Sequence, residues 1–122
     1  MKIWLAVFVG GGLGSLARFG VSNLGAKLID TKFPAGTLLA NLLSCIVLGL
    51  LVGMFSEKIQ TENLKALLII GFCGGFSTFS TFSYETFNLM KSGNFWLAVA
   101  NVLISVIAGI LILYLFVQKA KV

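Results

Sequence analysis

The chain has 122 residues, of which 58% are hydrophobic and 11% are charged, and it contains no histidine. A soluble domain has a smaller apolar share and about twice this share of charged residues. Because a membrane-spanning helix needs about 20 mostly apolar residues, four such helices fill the chain almost completely. The composition predicts an integral membrane protein with short loops and excludes a sizeable soluble domain within these residues.

Nine basic and four acidic residues give a net charge of +5. In a soluble protein this excess would suggest nucleic-acid binding, but here the basic residues flank apolar segments, where they face lipid headgroups. We therefore expect the lipid bilayer, and no nucleic acid, as a partner. The chain has no histidine, and its four acidic residues are spread over loops and the vestibule, so no acid–base pair is apparent and we do not expect an enzyme. The apolar run after Lys2 continues past the usual length of a signal-peptide core, which argues against a cleaved leader.

The expected fold is all-α, with residues 1–122 forming a single four-span membrane domain. The first span runs from Ile3 into the low twenties and contains the glycine-rich segment GGGLG, which allows close backbone approach. The other spans are expected from Pro34 to about Phe55, from about Leu64 to Met90, and from about Phe95 to Val117. Proline suits the start of a helix because its missing N–H is not needed there.

Four spans place both chain ends on one side of the membrane. The basic residues on that side are Lys2, Lys58, Lys65, Lys119 and Lys121, and those on the other side are Arg18, Lys27, Lys32 and Lys91. An excess of such residues normally fixes which side faces the cytoplasm, yet the count is five against four. The balance predicts insertion in both orientations and an antiparallel homodimer, although a chance tie remains an alternative. Four short spans can hardly enclose a pore alone, which independently favours a homo-oligomer.

The segment GFCGGFSTFSTFSYE, residues 71–85, is unusual for a membrane helix. It repeats phenylalanine every third residue, at Phe76, Phe79 and Phe82, with serine and threonine hydroxyls between the rings. The edge of an aromatic ring is positively polarised, so a ring turned edge-on favours an anion without a full charge. Such a ladder of hydroxyls and ring edges is suited to replacing the water around a small ion.

The glycine pair Gly74–Gly75 is expected to break the third helix. A break at membrane depth is tolerated where protein or a cavity satisfies the freed backbone groups, and its carbonyls can coordinate a small cation. Ser77 and Thr78 would then cap the second half of the helix.

Polar side chains in the second and fourth spans have two open interpretations. Thr37 and Asn41 share one helix face, and Asn41 either joins two helices or donates its NH2 group to an anion. The stripe of Asn101, Ser105 and Gly109 either lines a path or forms a helix contact. Cys45 and Cys73 are expected to be small buried side chains.

Arg18 and Glu85 are the charged residues expected closest to membrane depth. We place them near the vestibules, where they either pair and shape access or extend towards the interface.

Taken together, GGGLGSLARF in the first span, FPAGTLLAN in the second and GFCGGFSTFSTFSYE in the third resemble the Fluc (CrcB) family of small fluoride channels. The resemblance covers all four spans in order, and the third-span motif is its most specific element. It implies a fluoride-selective channel of the cell membrane that passively exports fluoride and limits its toxicity. It also implies a dual-topology antiparallel homodimer with two fluoride pathways and a structural sodium ion at its centre.

By position, the resemblance implies roles for individual residues. Phe79 and Phe82 match the family's pore phenylalanines and Asn41 its pore asparagine, while Gly74 and Ser77 match sodium ligands that act through backbone carbonyls. The polar wall residues would be Thr37, Ser80, Thr81 and Ser105. The family often has threonine in place of Ser77, and some relatives have tyrosine in place of Asn101.

Two other functions are alternatives to the channel. A small multidrug or guanidinium exporter needs a membrane-embedded carboxylate, and that family keeps a glutamate in its first span, where this chain has no acidic residue. A non-transporting assembly subunit would explain the glycines but not the ladder of phenylalanine, serine and threonine.

Overall fold

The computed structural model describes residues 2–29 and 31–120, with side chains described up to Gln118. Lys121 and the side chain of Lys119, both included in the charge count above, lie outside this part. The described secondary structure is helical throughout. The elements are α1 (Lys2–Leu28), α2 (Ala35–Gly53), α3 (Glu62–Lys65), a π-helical segment (Ala66–Cys73), α4 (Gly74–Phe76), α5 (Phe79–Lys91) and α6 (Phe95–Ala120).

The four membrane spans predicted from the sequence are confirmed. The segments Lys2–Leu28, Ala35–Gly53, Glu62–Lys91 and Phe95–Gln118 are long and apolar enough to cross a bilayer. The first span is longer than expected, since α1 continues without interruption to Leu28. The third span is composite, because α3, the π-helical segment, α4 and α5 follow one another within it.

Glycines bring α1 and the third span into direct backbone contact. A Cβ atom added at Gly10 would overlap the carbonyl of Leu67, and one added at Gly14 would overlap the carbonyl of Phe72. On the third span, a Cβ atom at Gly75 would lie 2.5 Å from the carbonyl oxygen of Gly11. Small residues at such crossings are the usual way for membrane helices to approach closely.

The predicted break at Gly74–Gly75 is wrong by a few residues. Gly74 is helical, with φ −63° and ψ −36°, and the helix continues to Phe76. The chain leaves the helix at Ser77 (φ −89°, ψ 159°) and Thr78 (φ −149°, ψ 114°). A glycine pair permits a break but does not force one, and Gly75 serves instead to let the third span pass close to Gly11.

The connecting segments lie at two opposite ends of the bundle. The loop after α1 shares a cavity with Asn88, Ser92 and Asn94 at the turn between α5 and α6. Lys2 lies close to Thr61 in the connector that follows α2. The chain therefore runs up and down through the four spans, as expected.

Candidate functional site

A cavity of about 280 Å³ lies where the broken third span meets α2 and α6. We call it the phenylalanine cavity; its walls are Asn41, Cys45, Ser77, Thr78, Phe79, Phe82, Ser105 and Val106. Asn41, Phe79, Phe82, Ser77 and Ser105 were all singled out from the sequence. The fold thus collects candidate site residues from three of the four spans around one space.

A second cavity of about 350 Å³ lies towards the loop after α1. We call it the arginine cavity. Of the residues predicted for the site, Arg18, Thr37, Thr81 and Glu85 line it. Thr78 lines both this cavity and the phenylalanine cavity, so the residue borders both spaces. Gly74 and Ser80 line neither of them.

Asn41 holds the break in the third span. Its Oδ1 atom accepts a hydrogen bond of 2.8 Å from the backbone N–H of Thr78. Its Nδ2 atom donates to the Thr78 carbonyl over 3.4 Å, a longer and weaker contact. The amide therefore replaces the helical partners that Thr78 has lost, and one N–H of its NH2 group remains beside the cavity. The expectation that Asn41 joins two helices describes this contact, and it is compatible with an additional bond to an anion.

The hydroxyl groups that follow the break converge on Thr78. The Thr78 side chain caps α5 by accepting from the backbone N–H of Thr81 over 3.2 Å, as the sequence predicted for this cap. Its hydroxyl donates to Thr81 Oγ1 over 3.2 Å and lies 3.3 Å from Ser80 Oγ. Thr78 was read from the sequence as a cap only, and its position between two cavities was missed.

The break also changes which backbone carbonyls have partners. The Cys73 carbonyl accepts hydrogen bonds from Ser44 Oγ over 3.0 Å and Ser77 Oγ over 3.1 Å. Ser44, which is buried, was missed by the sequence analysis. Gly74 has lost its helical donor, since the N–H of Thr78 bonds to Asn41. The carbonyl of Ser77 also lacks its helical donor, because the N–H of Thr81 bonds to the Thr78 hydroxyl instead.

The three regularly spaced phenylalanines have different surroundings. Phe79 is 79% exposed, and its ring lies 5.9 Å from that of Phe82, with 44° between the ring planes. Phe76 is buried and packs edge-on against Phe72. Phe79 and Phe82 thus face the phenylalanine cavity, whereas Phe76 belongs to the core.

Arg18 and Glu85 line the same cavity but differ in their hydrogen bonds. Arg18 Nε donates to the Gly75 carbonyl over 3.0 Å, so the guanidinium is held at the third span. Glu85 Oε1 is buried and has no hydrogen-bond partner among the described residues.

The polar stripe of the fourth span divides between the two interpretations left open. Asn101 is buried and donates through Nδ2 to Thr86 Oγ1 over 2.9 Å, which joins α6 to α5. Gly109 is also a contact position, since an added Cβ atom would lie 3.4 Å from Cys45 Sγ. Ser105 faces the phenylalanine cavity. The sequence analysis did not identify Thr86 as a partner of Asn101, because Thr86 lies outside the motifs.

Comparison with known proteins shows the family of this chain. Residues 5–117 match the family described as CrcB-like protein, Camphor Resistance (CrcB). The chain belongs to the CrcB family. CrcB relatives named "Fluoride-specific ion channel FluC" include one from Dehalococcoides mccartyi, 43% identical over 91% of this chain and 86% of the relative. Another, from Azobacteroides pseudotrichonymphae, is 47% identical over 88% of this chain and 86% of the relative. A third, from Pyrococcus abyssi, is 44% identical over 94% of this chain and 93% of the relative.

Membership of the CrcB family and the four apolar helices make this a multi-pass protein of the cell membrane. The relatives carry the name of an ion channel, so the chain belongs among non-enzymatic proteins, as the sequence predicted.

Proposed function

We propose that this protein is a fluoride-selective channel that passively exports fluoride across the cell membrane and so limits its toxicity inside the cell. The observation that carries the proposal is the phenylalanine cavity, in which Asn41, Phe79, Phe82 and Ser105 converge. The relatives' name, which refers to a fluoride-specific ion channel, supports the same conclusion.

The chemistry of the cavity suits a small, strongly hydrated anion. Fluoride gives up its water only where donors replace it at short range. Asn41 offers an N–H, Ser105 offers a hydroxyl, and the edges of Phe79 and Phe82 offer positively polarised hydrogens. None of these groups carries a full charge, and conduction requires sites that release the ion as well as bind it.

The two cavities suggest a route for the ion. The arginine cavity would act as a vestibule, where the guanidinium of Arg18 attracts an anion from solution. The hydroxyls of Thr37 and Thr81 line the same space, and Thr78 leads from it to the phenylalanine cavity. Ser80 lies within hydrogen-bond distance of Thr78 and would complete this polar wall.

Three observations support an antiparallel homodimer with two such routes. Phe79 is largely exposed in the single chain, although it borders the candidate route. Gly74 faces outward, with open space where a side chain would lie. The nearly balanced basic residues favour insertion in both orientations. A second copy placed over this face would enclose the ring of Phe79.

A structural sodium ion at the dimer centre fits the carbonyls at the break. Hard monovalent cations are bound in membranes by backbone carbonyls of unwound helices. The carbonyls of Gly74 and Ser77 have lost their helical donors, as described above, and Gly74 lies on the outward face. When bound, sodium would supply a positive charge that attracts the oxygen atoms of these carbonyl groups in both copies.

The test is ion efflux from liposomes that contain the purified protein, measured with fluoride- and chloride-selective electrodes. We expect rapid release of fluoride without matching release of chloride. A well-folded protein that releases neither ion would refute the channel, and equal release of both ions would refute the selectivity.

Replacing Asn41 with leucine, which is similar in shape, should reduce fluoride efflux at least about tenfold, because hydrogen bonds to the ion and to Thr78 are lost together. The matched control is Asn63→Leu, because Asn63 is an exposed asparagine in the short helix α3, away from both cavities. Efflux should be unchanged in that variant. Equal efflux from the Asn41 variant and the control would show that Asn41 has no part in conduction.

A further inference from the structure

Asn101 is the most completely enclosed polar side chain in the described part of the protein, with 2% of its surface exposed. An amide within a membrane-spanning helix is costly unless it is hydrogen-bonded. Both of its polar atoms have partners, since Nδ2 donates to Thr86 Oγ1 over 2.9 Å and Oδ1 accepts from Ser105 Oγ over 3.4 Å. The side chain is therefore the centre of a small network between α5 and α6.

This network reaches two walls of the phenylalanine cavity. Thr86 Oγ1 donates to the carbonyl of Phe82 over 2.7 Å, and the ring of Phe82 lines the cavity. On the other side of the network, the hydroxyl of Ser105 lines the same cavity. Asn101 thus connects the residue that presents a ring with the residue that presents a hydroxyl, although it does not line the cavity itself.

The single hydroxyl proton of Ser105 links this network to the binding of an ion in the cavity. A serine hydroxyl has one proton to donate, and Ser105 Oγ is placed to donate it to Asn101 Oδ1. At 3.4 Å the bond is long and weak. An anion in the cavity can accept the proton only if Ser105 gives up its bond to Asn101.

We propose that Asn101 is a positioning residue that competes with the permeating anion for the proton of Ser105. The inference rests on the proposed function. Competition lowers the net gain when Ser105 binds the ion, which keeps the site weak enough to release it, as conduction requires.

The test variant is Asn101→Leu, which preserves the shape of the side chain and removes the acceptor. Thr86 can keep its bond to the Phe82 carbonyl, and the Ser105 proton becomes free for the ion. We expect the fluoride concentration that gives half-maximal efflux to fall about twofold, the size of a hydrogen bond at the weak end of the usual range. The maximal rate should fall as well, because release becomes slower.

The same substitution in a Ser105→Ala background separates this role from a purely structural one. If Asn101 acts through the Ser105 proton, Asn101→Leu should leave the half-saturating concentration unchanged in that background. An equal shift in both backgrounds, or no shift in either, would overturn the inference. If the leucine variant does not fold, Asn101→Ala removes the same acceptor without added bulk and is read in the same way.

Wild-type protein measured in parallel distinguishes two kinds of failure. Absence of fluoride efflux from the wild type would overturn the proposed function and this inference with it. Normal wild-type efflux, with a half-saturating concentration that does not respond to Asn101, would overturn the role of Asn101 alone.

Discussion

Replacing either Phe79 or Phe82 with isoleucine is expected to slow fluoride efflux about fivefold, because a contact with a ring edge is worth about 1 kcal/mol and an ion must replace its water at every step. Isoleucine keeps the apolar bulk but has no polarised edge. Both rings border the cavity that is also lined by Asn41 and Ser105, so the ion would lose one of its few donors there. Efflux from liposomes with matched protein content measures the loss.

Phe87→Ile is the matched control for these substitutions. Phe87 lies on the same helix α5, is 59% exposed and does not line the phenylalanine cavity. Its replacement should leave efflux unchanged. Each variant should elute from a sizing column at the same position as the wild type, which shows that assembly is preserved. Wild-type rates in both cavity variants would contradict the role assigned to the ring edges.

Replacing Gly14 with alanine is expected to have the largest effect on stability. The added methyl group would overlap the backbone carbonyl of Phe72, and a backbone atom cannot rotate away as a side chain can. The two helices would have to separate, which would also disturb the contact of Gly10 with Leu67. Overpacking of this kind costs about 2 kcal/mol or more. The loss can be followed as a lower midpoint of thermal unfolding in detergent.

Gly20→Ala is the control, because Gly20 lies on the same helix with open space where the methyl group would go. Alanine favours a helix over glycine by about 1 kcal/mol, so the control should be neutral or slightly more stable. Any difference between the two variants then reports the helix crossing rather than helix propensity. Equal midpoints would show that α1 does not cross the third span at Gly14.

The spans were predictable from sequence because hydropathy and length alone determine them. The loops between the spans are short, and the apolar runs are close to the length that a bilayer requires. The predicted start of the second span at Pro34 is one residue from the observed start of α2 at Ala35. The cap of α5 by Thr78 was also predictable, since a hydroxyl beside a helix start is a local signal.

The position of the break was not predictable, because a distant residue determines it. Asn41 bonds to the backbone of Thr78 from another helix, across 37 residues of sequence. Local sequence favoured the glycine pair, yet Gly75 is required for the approach of Gly11. The glycine pair therefore marks a helix crossing and not the break. Nothing near residue 78 in the sequence indicated that Asn41 would bond to its backbone.

Sequence spacing within one helix could not predict which polar residues share a cavity, because contacts between helices determine this. Asn41, Ser105 and the two phenylalanines lie on three different elements, and only the fold shows that they share one cavity. Asn101 and Ser105 lie on the same stripe, but the first is buried against Thr86 and the second faces the cavity. Helical periodicity places both on one face and cannot separate them.

The measurement that tests the central claim most directly is the reversal potential of the purified protein in a planar bilayer, with different fluoride concentrations on the two sides and chloride present on both. If the protein is a fluoride-selective channel, the current reverses at the potential set by the fluoride gradient, and changing the chloride concentration does not move it. A reversal potential that follows chloride, or a bilayer without protein-dependent current when folded protein is present, would contradict the account.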